Sequence, residues 1–189
     1  PLPSFDARAE RDEVDLRLSL DAAGNARGSL TVLVRGRPAQ QLAETFERVV
    51  GTERQRALQS IALAWVPFAS VDKVELSSRE GSWEVAIRAD LTVGSYAQPE
   101  AGGTWALPGL DPVHIVYPRP WVSSLGNLYV TQSGREGAFA IDRAVQYRVR
   151  RRVELPAGAR LVRQPGPFEL RSKELEAARS TRVEGPVVE

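Results

Sequence analysis

Strict two-residue alternation of apolar and polar side chains constrains this chain more than any other feature. In Glu13–Asp21, Val14, Leu16, Leu18 and Leu20 alternate with Asp15, Arg17, Ser19 and Asp21. Successive side chains of a strand point to opposite faces, so this pattern puts one apolar row against a core and one polar row toward solvent. A second alternating segment carries Leu30, Val32 and Val34, and the intervening AAGNARG has Gly24 and Asn25 suited to positive φ. Together they predict a β-hairpin with a somewhat long loop. The strongest alternation is Trp83, Val85, Ile87, Ala89, Leu91 and Val93, after Val74 and Leu76 and a turn at Arg79-Glu80-Gly81.

One stretch changes period. Leu42, Phe46 and Val49 recur at helical spacing over Pro38–Val50, with Pro38 suited to a first turn. Beyond Gly51, Thr52 and Gln55 have the spacing of a capping box, opening a second helix that buries Leu58, Ile61, Ala62 and Trp65 and stops ahead of Pro67. The expected fold is therefore mostly β with minor α: an antiparallel β-sandwich-like domain with two short helices inserted after the first hairpin. Residues 1–12 read as an extended charged entry, 13–170 as a single β-rich domain with its helical insertion at about 38–66, and 171–189 as a polar C-terminal segment.

The later chain is less regular. Residues 94–126 are rich in Gly and Pro, and Leu128–Thr131 and Ala138–Ile141 are short strand candidates. Val145–Leu155 is a long strand with contrasting faces. Tyr147, Val149, Arg151, Val153 and Leu155 share one parity, and Gln146, Arg148, Arg150, Arg152 and Glu154 the other. PAGA at 156–159 reverses the chain, so Leu161-Val162 is expected to return beside that strand, with a short strand at Phe168–Leu170 after it. SKELEAARS reads equally as a helix or as a strand completed by residues beyond it.

Composition narrows the function. Lys and Arg total 25 against 24 acidic residues, a net charge of +1 that argues against nucleic acid as the main partner. Cysteine is absent, which removes disulfides, thiolate metal sites and cysteine nucleophiles. Methionine is absent too, and the expectation is a segment of a larger protein; no apolar run approaches the length of a membrane span.

His114, the only histidine, lies in DPVHIVYPRP with no nucleophile or ligand set to serve, and is read as structural or surface-lying. Neither Gly102-Gly103 nor the PGP around Gly166 matches a phosphate loop or dinucleotide fingerprint. Two surfaces remain as binding candidates. Tyr96, Trp105, Tyr117 and Trp121 lie in a proline-stiffened loop region and could stack sugars or anchor a protein. Arg148, Arg150 and Arg152 form a cationic stripe, with solvation or cross-strand pairing as the simpler reading. Arg151 has apolar parity, and its burial would demand an acidic partner.

The order VDLRLSLDAAGNARGSLTVLVRG, QQLAETFERVV with ERQRALQSIALAWV, and then YRVRRRVELPAGARLVRQPGPFEL resembles the C-terminal β-rich region of bacterial transglutaminase-like proteins. In that family an N-terminal β domain of unknown function precedes a papain-like transglutaminase core, and a β-rich domain comes after it. The resemblance implies a bacterial cell-envelope or periplasmic setting and a non-catalytic accessory or scaffold role. Its partners would be other domains of the parent chain, a second protein or a glycan. The family's Cys-His-Asp arrangement has no counterpart here, so no catalytic residue, metal or cofactor carries over.

Overall fold

The computed structural model describes residues 11–78, 83–108, 146–171 and 176–189. The class is mostly β, as expected. β1 (Arg11–Leu20) and β2 (Ala26–Arg35) form the first hairpin; α1 (Arg37–Arg48) and α2 (Gly51–Trp65) come next; β3 (Ala69–Ser78) and β4 (Glu84–Val93) form a second hairpin. A two-residue pair, β5 (Gln98–Pro99) and β6 (Trp105–Ala106), precedes β7 (Gln146–Glu154). The chain ends with β8 (Phe168–Arg171), β9 (Glu176–Arg179), β10 (Val183–Glu184) and β11 (Val187–Val188).

Seven of these strands make one sheet in the order β10-β11-β7-β1-β2-β4-β3. Its pairs are antiparallel except one: β1 and β7 run parallel, with Val14 opposite Val149 and Leu18 opposite Val153. This departs from a fully antiparallel arrangement. Parity arguments fix which residues face the core but not the direction of a strand whose partner lies far away in sequence.

The register carries one apolar surface across the sheet. Leu16, Leu30, Ala89 and Val74 fall in one cross-strand row, and Val14, Val32, Ile87 and Leu76 in the next. Among the described residues, the layer over β2, β4 and β3 is supplied by the helices, with α1 against β2 and β4, and α2 against β3 and β4. α1 buries Pro38, Ala39, Leu42 and Phe46, and α2 buries Leu58, Ile61 and Ala62, the stripes their spacing dictates. Arg54 ties the helices together: its guanidinium donates to the Phe46 carbonyl at 2.6 Å and lies 5.8 Å from that ring's centre.

The capping box is not formed. α2 begins at Gly51 with Val50 at the N-cap and no side-chain cap. Gly51 takes φ of 61°, so the chain turns directly from one helix into the next and Thr52 lies inside the first turn. Trp83 lies just before β4 and is 57% exposed; its carbonyl accepts from the Gly36 N–H at 2.8 Å, at the start of α1.

The β1–β2 loop is built around Asp21. Its carboxylate accepts the N–H of Ala23 at 2.8 Å, the N–H of Asn25 at 2.9 Å and the Asn25 side-chain amide at 3.0 Å. These donors, the Asn25 side chain foremost, hold the carboxyl below its ordinary range.

Leu161-Val162 does not return beside β7. Residues 160–167 form no strand and Val162 is 69% exposed. The Pro156–Ala159 turn does form, with Gly158 at φ of 82°, but Pro165 and Pro167 come soon after, and proline cannot donate to a ladder. The place beside β7 is filled instead by Val187–Val188, running antiparallel to it. Within SKELEAARS, Glu176–Arg179 is a strand, but its partner is Phe168–Arg171 and not residues beyond it; residues 172–175 lie outside the described residues. The turn at Arg79–Gly81 and the strand candidates at 128–131 and 138–141 lie outside the described residues.

Candidate functional site

β7 separates the two candidate surfaces. Val149 and Val153 face the core, Val153 being 1% exposed, and Arg151 shares their side. The Arg151 guanidinium donates to the Tyr96 hydroxyl at 3.4 Å and to the Pro108 carbonyl. Half-buried Arg151 thus engages neutral oxygens among the described residues, where burial alone suggests an acid. A guanidinium keeps its charge at any ordinary pH, and partial solvent access with fixed dipoles suffices for it.

Tyr96 is buried at 8% exposure and belongs to the core cluster. Burial pushes its phenol above the usual range, while neighbouring Arg151 opposes the shift. Trp105 is 45% exposed, and one edge of its ring lies so close to Gly24 that a β-carbon there would collide with it. The Gly24 carbonyl in turn accepts the Ala97 N–H at 2.9 Å. Tyr96 therefore acts as a wall of the core, and Trp105 as a half-covered lid over the first hairpin's loop. Tyr117, Trp121 and His114 lie outside the described residues.

The arginine stripe is on the other side. Arg148 stands opposite Glu13, Arg150 opposite Asp15 and Arg152 opposite Arg17. Arg150 pairs with Glu189 at 3.0 Å, and all three are exposed. The same polar face carries Arg17 with Asp15 at 2.7 Å, Arg35 with Glu13 at 3.0 Å and Glu84 at 2.9 Å, and Lys73 with Glu75 at 2.8 Å. Cross-strand and local pairing thus neutralises part of the face, and solvent screening leaves such exposed pairs with little effect on stability. The structure separates Tyr96, on the core side of β7 with Arg151, from the arginine stripe on the opposite side, and sets Trp105 against the β1–β2 loop.

Sequence reasoning missed a different feature. Among the described residues, β8 and β9 pair only with each other, as a two-stranded sheet apart from the main one. All four β8 residues are exposed, including Phe168 and Leu170, each at 44%. The alternation of FELR is a signal for a strand, but not for one lacking a core.

Among the described residues no cluster of three His, Asp or Glu is placed to hold a metal ion, and no helix is long and apolar enough to cross a membrane. No protein-family model matches the chain, and no curated protein or solved structure does so either.

Proposed function

We propose that this chain is a non-catalytic accessory domain of a larger bacterial transglutaminase-like envelope protein, packing against neighbouring domains or binding a partner. The observation that carries this reading is the β8–β9 hairpin, which among the described residues is detached from the main sheet with Phe168 and Leu170 exposed. A lone two-stranded hairpin is marginal in water, and paired apolar side chains on it are more useful buried against something else. The strand at Gln146–Glu154 and its Pro156–Ala159 turn support the likeness to the family's strand-LPAG piece; the missing return strand at Leu161-Val162 weakens it.

The test is a blot of source cells with an antibody against this chain. A band about three times the chain's mass or larger is expected for one domain of a multidomain parent. A band at the chain's own 20.7 kDa overturns that part of the reading. Acyl-transfer or amide-hydrolase activity in the purified chain would overturn the non-catalytic part.

The half-exposed Trp105 favours a second reading, a stand-alone module binding a polysaccharide or protein through its aromatic loop. Glycan titration of wild type against Trp105→Ala and Trp121→Ala separates the two. Binding lost in folded variants supports the module, and absent or unchanged binding removes it.

A further inference from the structure

β7 pairs with β1 along its whole length on one side, whereas β11 meets it on the other only at Val153 and Glu154. Among the described residues, no strand lies along the outer edge of β7 from Gln146 to Arg152. The Leu155 N–H points to that edge, where it donates to the Pro186 carbonyl at 2.8 Å. Peptide groups alternate in direction along a strand, so the N–H groups of Arg151 and Val149 point the same way. The edge is rigidly held, because buried Val153 anchors β7 in the core, while Val149 is only partly covered.

The charge on this strand is one-sided. Arg148, Arg150 and Arg152 project from its solvent face, and Glu154 is the sole acid in β7. The acids that β1 sets opposite are engaged elsewhere, Glu13 with Arg35 and Asp15 with Arg17. Arg148 and Arg152 make no ion pair among the described residues, and Arg152 stands opposite a like charge, Arg17.

The short strand already on this edge shows which chemistry fits it. Val188 is buried opposite Val153 on the core side. The next residue, Glu189, turns to the other side, and its carboxylate meets Arg150 at 3.0 Å. Valine against the core and glutamate against the arginines is therefore the alternation seen at the occupied end. Continued along the edge, it would bring a carboxylate to Arg148 and an apolar side chain beside Val149.

Other occupants fit less well. A second copy adding its own β7 would set arginines against arginines. An anionic polymer would satisfy the guanidinium groups but leave the free backbone edge and Val149 uncovered. The opposite edge of the sheet, β3, is a poorer acceptor, since its ladder shifts between Val71 and Lys73 and Asp72, Lys73 and Glu75 charge it with both signs.

We propose that the outer edge of β7 accepts an extended segment of a partner protein by strand addition, antiparallel to β7 and in line with β11. The segment alternates carboxylates on the arginine side with apolar residues on the core side. This rests on the accessory-domain reading and names the chemistry of its partner.

The experiment is amide hydrogen exchange on the full chain, with a synthetic alternating Val-Glu peptide and its Val-Lys counterpart as probes. Saturable slowing at Val149 and Arg151 by the Val-Glu peptide is expected, with affinity about tenfold or more weaker for Val-Lys. In Arg148→Glu/Arg152→Glu the preference should reverse, with exchange in β2 and β4 unchanged, which shows that the variant is folded. Equal binding of both peptides to wild type, slowing at β3 instead of β7, or no saturable slowing overturns the proposal. Binding of polyglutamate as tight as that of the Val-Glu peptide also overturns it, assigning the stripe to anionic polymers. A blot showing an independent polypeptide would remove the multidomain parent and leave peptide binding at β7 standing, so the two failures are distinguishable.

Discussion

The Arg151 guanidinium reaches the Tyr96 hydroxyl at 3.4 Å on the core side of β7, while its neighbours Arg150 and Arg152 project from the opposite side. A single strand thus gives alternate arginines different work. Arg151 joins the segment after β4 to β7, and replacing it with Leu strips a charged donor from the Tyr96 hydroxyl and the Pro108 carbonyl. A loss of about 1–3 kcal/mol is expected in denaturant unfolding, because the buried Tyr96 hydroxyl loses its charged donor. An unchanged midpoint would show these contacts to be dispensable.

Tyr96 gives the same region a pH signature. Its phenol is raised in the folded state, so the folded chain holds this proton more tightly than the unfolded one does. The stabilisation is fully present below the ordinary tyrosine value of about 10 and is lost as pH rises through the higher folded value. Melting temperature should therefore fall more steeply above about pH 10 in wild type than in Tyr96→Phe. Parallel curves would contradict the assignment.

The two faces of β7 predict an asymmetry between adjacent positions. Val149 packs against the core, so Val149→Asp should cost about 3 kcal/mol or more by placing a carboxylate against apolar neighbours. Arg150→Asp loses one exposed ion pair and sets a carboxylate opposite Asp15, a change of about 1 kcal/mol. Thermal or urea unfolding of the two variants measures the difference, and equal shifts would mean the faces are misassigned.

Gly24 is fixed twice over, by φ of 82° and by the ring of Trp105 against it. Gly24→Ala should destabilise by at least about 1 kcal/mol, since the left-handed backbone and the lack of space both oppose a methyl group. Because the added carbon must displace an indole edge, the fluorescence of the folded variant should also shift. Unfolding that costs stability without any spectral change would place the strain in the backbone alone.

Much of the layer structure is legible in side-chain period. Leu16, Leu30, Ile87 and Leu58 announce their burial because each belongs to a row repeating every two residues or every helical turn. What period cannot carry is a choice among partners. The parity of Val149 is plain in the sequence, but pairing β7 with β1 in parallel depends on chain segments far from both. Leu161-Val162 illustrates the converse. The PAGA turn is plain in the sequence, yet the two prolines beyond it outweigh two apolar residues, and Val187–Val188 takes the edge. The aromatic candidates mislead for a related reason. Tyr96 and Trp105 share a loop-rich stretch, but sequence proximity does not say that one ring faces the core while the other is half in solvent.

The parallel β1–β7 pair also sets the order in which the molecule can be made. Val14 waits for Val149 while most of the chain is synthesised between them. Until then the first hairpin carries an unpaired inner edge with Leu16 and Leu18 beside it, a surface open to wrong partners. Closing so long a loop is slow, so folding of this sheet should be limited by the docking of β7 rather than by either hairpin. The strand that joins the sheet late thereby protects the one that waited for it.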